Sequence, residues 1–531
     1  PRGLKDINGA KKEMERLCGC ANNFSWVDSQ TKLIEKEWEN YLGKFECHIP
    51  NKDLERQINI WSPINCMVTA RFSRSVNTNA PGVRGIGYRD SAQDMTATAM
   101  RRSDMAIDML MCLLSKQFKE GCAVHLIPLS KSELPDAKTR CDSHLWLPML
   151  LYSILSETGD FSLLDKEVPY LSREDLISEQ GSATVWEHML AAVDFTQKHL
   201  GEHGLPLTLK GDWNDIIGKF SEKGRGESTF AAMQYLTSLK LLAEIAEIYD
   251  TKSVEFLTEC ANRQKAAIEK NCFSEKWWCR CFDDNGKSIG TPSSEHGKLW
   301  LNPQSWAVIS GVGSEEQRRM GLDAAYENLR TDVGLKLITP GFPSYPETTD
   351  PFVGYNPGNG ENGAIFCHAN GWAIIAEAMM GNGERAWEYF SMLTPHLALN
   401  KMGLKTYRAE PFAWVSNIVG PENPKYGWAN VSQVTGTAAW MEIAATQVLL
   451  GVRAGLDGLT VNPVIPGSWK ELSVRREYRG TEVLVEIENP TGVCCGVKRL
   501  ELDGKELGGN FISAELLRGK KEVCVKLVMG Q

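Results

Sequence analysis

FAAMQYLTSLKLLAEIAEIYD, residues 230–250, decides the fold class. Leu236, Leu239, Ala243 and Ala246 recur three or four residues apart, the spacing that puts apolar side chains on one face of a helix. Similar patterns recur near 54–64, 92–118, 144–157, 183–200, 253–270, 301–311, 315–328, 368–379, 383–393 and 436–450. Together they make eleven candidate helices, close to the dozen of a double ring of helical hairpins. Loops rich in Gly, Pro, Asp and Asn separate them, so residues 60–455 read as one large α unit. Ahead of it, residues 1–59 are polar and helix-prone, with amphipathic stretches KKEMERLCGCANNF (11–24) and LIEKEWENYLGKF (33–45), and read as a helical lead-in. After Gly455 the period falls to two: Val483, Val485 and Ile487 alternate with Glu482, Leu484, Glu486 and Glu488, and Val523, Val525 and Leu527 repeat the pattern. With turns at Asp503-Gly504 and Gly508-Gly509, residues 456–531 read as a small antiparallel β domain.

Composition narrows the function. The 531 residues carry 58 Lys plus Arg against 67 Asp plus Glu, a net charge of −9, with no basic stripe for a phosphate backbone, so nucleic acid is not the expected partner. No apolar run approaches the roughly 18 residues that cross a bilayer. The 15 Cys form neither paired CxxC motifs nor a Cys/His zinc spacing, and no secretory leader precedes them, which predicts reduced thiols in a cytoplasmic, metal-free protein. Sixteen Trp suit both cores and flat, partly apolar ligands such as sugars. The first residue is Pro1 rather than Met, as in a fragment or a processed chain.

Four motifs concentrate polar chemistry. GVRGIGYRDSAQD (82–94) sets Arg84, Arg89, Asp90 and Asp94 among glycines; guanidinium forks and carboxylates there suit a polyhydroxyl ligand, or else an ion-paired helix start capped by Asp90. LKGDWNDIIG (209–218) holds Asp212 and Asp215 either side of Trp213 and Asn214. It reads as a helix start with Asp212 as cap and Asp215 facing a cavity, where a carboxyl beside an apolar ring keeps its proton as a general acid needs; the alternative is a doubly acidic first turn. NPGNGENGAIFCHANGW (356–372) places Glu361 and His368 around a Gly-rich loop, and His368 alone reads more readily as a satisfied core histidine than as a ligand. VTGTAAW (434–440) puts Thr435, Gly436 and Thr437 before an Ala-rich helix, an anion site at a helix start or plain Thr capping.

In order along the chain, GIGYRDSAQD (85–94), GDWND (211–215), LNPQSWAVISG (301–311), ENGAIFCHANGWAIIAEA (361–378), VTGTAAWMEIAA (434–445) and LLGVRAGLDGLTVNPVIP (449–466) resemble the inverting disaccharide phosphorylases of glycoside hydrolase family 94. The resemblance implies an (α/α)6 barrel with a C-terminal β domain, and reversible phosphorolysis of a β-glucoside to α-glucose 1-phosphate. It implies Asp215 as general acid, Arg84, Asp90, Trp213 and Glu361 around the donor sugar, and Tyr355 at the acceptor. It also implies His368, Thr435 and Gly436 at the phosphate, with Arg74 joining them by its spacing from Arg84. Family members usually carry an N-terminal β-sandwich, for which no region here matches; a separate chain supplying it, or a homodimer, is the expected partner.

The chemistry agrees with that reading. An inverting hydrolase needs a second carboxylate, roughly 6.5–9.5 Å from the acid, to activate water. Phosphate arrives as an anionic nucleophile and needs an anion pocket instead. The expectation is a glycosyltransferase without cofactor, using inorganic phosphate as co-substrate and a short β-glucoside, cellobiose or a cellodextrin. Its rivals are an inverting β-glycoside hydrolase on the same barrel and a non-catalytic sugar-binding or scaffolding fragment.

Overall fold

A computed structural model describes residues 7–75, 85–130, 133–343 and 355–530. The fold is mainly α. Helices α1 (Ile7–Ala21) and α2 (Phe24–Leu42) open it, and strand β1 (Phe45–His48) follows. The lead-in is therefore not wholly helical. Phe45 and Cys47 are fully buried, and β1 pairs with a strand of the C-terminal sheet, a long-range partner that local periodicity does not announce.

The body is built from α3 (Ser62–Phe72), α4 (Tyr88–Thr98), α5 (Ser103–Leu114), α6 (Leu147–Thr158), α7 (Val185–Lys198), α8 (Thr229–Tyr249) and α9 (Val254–Asn271). It continues with α10 (Leu301–Ser310), α11 (Glu315–Leu329), α12 (Cys367–Met379), α13 (Gly383–Leu393) and α14 (Gly436–Ile443). One segment expected as a single helix, 92–118, is two. The chain turns between Thr98 and Ser103 because Arg101 folds inward: its guanidinium meets Glu442 Oε1 at 3.0 Å and the terminal carbonyls of α2 at Tyr41 (3.1 Å) and Leu42 (2.9 Å). A cation at a helix C-terminus satisfies carbonyls that lack intrahelical partners.

Helices α4, α6, α8, α10, α12 and α14 each pack on the next, and α14 packs back on α4. Outside them, α3 lies against α14 and α4, α5 against α4 and α6, α9 against α8, α11 against α10 and α13 against α12. The decisive stretch of sequence shows what an inner position demands. Ser228 Oγ caps α8 by accepting from Ala231 N at 3.0 Å. Residues 229–236 are all buried, and the one-sided pattern emerges only in the second half, where Lys240, Glu244 and Glu247 are exposed.

Indoles fill the axis of this circle. The Trp306 ring stands edge-on to Trp146 at 5.7 Å and to Trp372 at 5.5 Å, and Trp440 meets Trp372 at 5.7 Å, the edge-to-face geometry aromatic quadrupoles favour. Trp146, Trp306 and Trp372 are essentially inaccessible to solvent, so much of the high Trp count serves the core.

The C-terminal strands are β2 (Val452–Ala454), β3 (Gly458–Val461), β4 (Glu471–Tyr478), β5 (Thr481–Glu488), β6 (Val497–Leu502), β7 (Lys505–Leu507), β8 (Phe511–Ser513) and β9 (Glu522–Met529). They form sheets β1-β4-β5-β9-β6-β7 and β2-β3-β8. The expected wholly antiparallel arrangement fails at one pair: β5 and β9, both central, run parallel. Alternation fixes which face a strand buries but not its direction. Arg476 ties the sheet to the helices, pairing with Glu157 at 2.6 Å, while Arg479 donates to the Ser156 carbonyl of α6 at 2.9 Å.

Trp372→Ala should cost about 3–5 kcal/mol, the range for emptying a buried aromatic site. Chemical denaturation followed by circular dichroism measures it, and a change below about 1 kcal/mol would contradict the packed axis.

Candidate active site

The N-terminal ends of α4, α12 and α14 converge on a cavity of about 280 Å³. Helix N-termini expose unpaired N–H groups and the positive end of the helix dipole, so they favour anions. Arg74, Asp90, Trp213, Asp215, Glu361, His368, Thr435 and Gly436 all line it, joined by Arg89 and His125. A larger cavity of about 810 Å³ lies at the other ends of the inner helices, with walls including Met149, Leu241, Ile375 and Val448. Size does not select the site; the clustered acids and cations do.

Arg89 organises one wall. Its buried guanidinium pairs with Asp142 at 3.1 Å and with Asp215 Oδ1 at 2.7 Å, and donates to the carbonyls of Asp212 and of Trp213, the latter at 3.2 Å. Arg140 approaches the same Asp215 oxygen at 3.4 Å. About half of the Asp215 side chain, 54%, stays exposed. Desolvation pushes its carboxyl up, but Arg89, then Arg140 and His125, outweigh that and hold it below its ordinary value. Asp215 is thus ionised at neutral pH, contrary to the expectation that the neighbouring ring keeps it protonated. The Trp213 ring instead packs into the floor, 5.0 Å from His368 and 4.8 Å from Trp372.

Glu361 is the carboxyl that keeps its proton. Burial, with the Asp215 charge adding to it, pushes it up to about 8. Its Oε1 accepts from the Asp215 backbone N–H at 3.0 Å, which fixes the two acids relative to each other.

Asp212 is not a helix cap. Its carboxylate is wholly buried, pairs with an equally buried Arg280 at 2.6 Å, and accepts from Ser228 Oγ at 2.6 Å and Asn214 N at 2.9 Å. The turn after it, Asp215–Ser221, is a 3-10 helix whose N-cap position is Asn214. Asp90 is likewise inside α4 rather than capping it, since the N-cap is Gly87.

The opposite wall gathers Arg74, His368 and Thr435 around the start of α14. Arg74 is held by Asp90 at 2.8 Å and by both Asp94 oxygens, at 2.8 and 3.2 Å. Thr435 caps α14, its hydroxyl accepting from Thr437 N at 3.2 Å. A Cβ on Gly436 would collide with Arg74 Nη2 and stand 2.7 Å from His368 Nδ1, so only glycine lets both groups approach this helix start. His368 is buried, and burial, reinforced by Arg74 and Arg89, pushes its pKa well below the ordinary value. It is a neutral imidazole.

The catalytic-domain model of the glycosyl hydrolase 94 superfamily matches residues 37–451. The chain belongs to that superfamily. It is 32% identical over 544 residues to N,N'-diacetylchitobiose phosphorylase of Vibrio furnissii, covering 97% of this chain and 66% of that one. It is 33% identical over 455 residues to solabiose phosphorylase of Paenibacillus borealis, covering 85% and 56%. The chain thus spans less than two thirds of the length of these relatives. Among solved structures, a GH78 family rhamnosidase of Bacillus sp. GL1 shares the fold, with a TM-score of 0.55 at 9% identity over 85% of this chain and 43% of that one.

Two further residues are nominated by the glycosyl hydrolase 94 resemblance. Arg84 lies outside the described residues. Tyr355 is absent from the lining; a Cβ on Gly360 would strike its ring, so the two pack together. Arg89, which the motif 82–94 offers as a fork for a polyhydroxyl ligand, is instead engaged by Asp142, Asp215 and the carbonyls of Asp212 and Trp213. Arg140 sits outside every motif, and only the folded loop brings it to Asp215.

Asp212→Asn should cost about 3–5 kcal/mol by leaving a buried Arg280 charge uncompensated. Asp215→Asn should leave the melting temperature within a few degrees of the parent, because Arg89 keeps Asp142. Thermal denaturation of both variants distinguishes the structural acid from the cavity acid, and equal losses would contradict the assignment.

Proposed function

We propose that this protein catalyses reversible phosphorolysis of a short β-linked glucoside, with inversion, on an (α/α)6 barrel. The observation that carries the reading is one half-exposed acid, Asp215, facing an anion seat of Arg74, His368, Thr435 and Gly436 in a single small cavity. Asp215 is the general acid toward the leaving sugar, Asp90, Trp213 and Glu361 hold the donor ring, and phosphate attacks from the seat. The names of the relatives, chitobiose and solabiose phosphorylases, support a disaccharide substrate. Cellobiose or a cellodextrin is the first substrate to try, with chitobiose beside it.

Water is the weaker nucleophile here. A hydrolase base must be ionised near neutrality, whereas Glu361 is held protonated and Asp90 is engaged by Arg74. The ionised state of Asp215 has a counterpart in the same chemistry. An incoming phosphate offsets the field of Arg74 and Arg89, which raises the Asp215 pKa and lets it take up the proton it donates. The acid is thereby armed only when the nucleophile is present.

Incubating the protein with a panel of β-disaccharides, with and without inorganic phosphate, tests the proposal: α-glucose 1-phosphate should form only with phosphate. Sugar release at equal rates without it would establish the hydrolase instead. Asp215→Asn should lower turnover roughly 10²- to 10⁴-fold, the usual worth of a general acid. Arg140→Gln removes a charge that lowers the Asp215 pKa. Activity that needs protonated Asp215 is lost as pH rises through that pKa, so the alkaline limb of the rate profile should move to higher pH in this variant. A limb that stays in place or moves down would remove Arg140 from the acid's control.

A further inference from the structure

His368 presents two ring nitrogens, and the surrounding contacts decide which one carries hydrogen. Trp440 Nε1 is a donor only, and it lies 3.0 Å from Gln93 Oε1. Gln93 Nε2 lies 3.1 Å from the Arg89 carbonyl, an acceptor only. Both contacts fix the same orientation of the Gln93 amide, since a flipped amide would set two donors against each other at the indole and two acceptors at the carbonyl. The oxygen that accepts from Trp440 also lies 3.0 Å from His368 Nε2. In a neutral ring that nitrogen must therefore bear the hydrogen. Nδ1 is left with its lone pair, on the side of the ring that faces Gly436 and Arg74 Nη2.

We infer that Gln93 is a positioning residue: it holds His368 as the Nε2–H tautomer, so that the anion seat offers one acceptor among its donors and selects an oxyanion that still carries a proton. The inference rests on reading this seat as the phosphate site. Inorganic phosphate keeps at least one proton through the neutral range and can donate it to Nδ1 while its other oxygens accept from Arg74 and the α14 amides. Sulfate keeps none, and would set an oxygen lone pair against the nitrogen lone pair. Protonating the ring to relieve that conflict is opposed from several sides. Arg74 and Arg89 face it with positive charge, Trp213, Trp372 and Trp440 pack around it, and Asp90 and Asp94 are already engaged by Arg74. Asp215 and Glu361 line the same cavity, but the first is paired with Arg89 and the second is protonated.

Long-range ¹H–¹⁵N spectra of histidine-labelled protein, with the signal assigned by its loss in His368→Gln, read the tautomer directly and need no activity. The expected result is Nε2–H in the ligand-free protein; an Nδ1–H or doubly protonated ring at neutral pH would overturn the inference. Calorimetric titration with inorganic phosphate and with sulfate should give at least about tenfold tighter binding of phosphate, the worth of one such hydrogen bond against one repulsion. Gln93→Leu and, should that variant misfold, Gln93→Met should release the tautomer and narrow the ratio to within about threefold. Equal binding of the two anions by the parent protein would sink the selectivity. Phosphate preferred, with the tautomer as assigned, but no phosphorolysis of any disaccharide would uphold the inference and overturn the proposed reaction alone.

Discussion

The Arg89 guanidinium is the charge around which the rest is arranged. A buried cation must find both counter-charge and acceptors for its N–H groups, or it destabilises the fold by several kcal/mol. Here they come from three places: Asp142 before α6, the carbonyls of Asp212 and Trp213, and the Asp215 carboxylate. Asp142 in turn accepts from the Trp146 indole at 3.1 Å, and Trp146 belongs to the axis of the helix circle. One side chain thus couples the packing of the body to the placement of the acid. The loop 211–215 is held in its cavity-facing position by charge satisfaction rather than by regular secondary structure.

The same cations create a tension within the cavity. An anion seat calls for positive charge, and positive charge drains the proton from a neighbouring acid. Distance separates the two needs only partly, because Arg89 touches Asp215 and also biases His368. Glu361 relieves the electrostatic load by staying neutral. Two acids in one cavity therefore carry different protonation states for different reasons, one set by guanidinium contact and the other by burial.

What could be read from the sequence follows the range of the forces involved. Helical periodicity is local, so α8 and most of its fellows were legible, as were the alternating strands β5 and β9. The break between α4 and α5 was not, since it depends on Arg101 reaching Glu442, far along the chain. Strand β1 and the parallel pairing of β5 with β9 depend on equally distant partners. At the site, the motifs named most of the residues that meet in the cavity. They misassigned Asp212, whose spacing from Asp215 looks like a cap but whose partner, Arg280, is invisible until the chain folds. They also gave Gln93 no role, because its importance lies in what it makes of a histidine more than 270 positions away.

The indole-filled axis has a consequence for how a polymer meets this protein. Trp213 and Trp372 close the floor beneath the cavity, so a sugar chain cannot thread through the circle of helices as it could through an open groove. A ligand longer than the cavity must enter end first and leave its remainder at the mouth. On the proposed function, such a surface counts residues from a terminus and ignores the interior of a chain, and the packing that stabilises the body sets the direction from which an oligosaccharide is read.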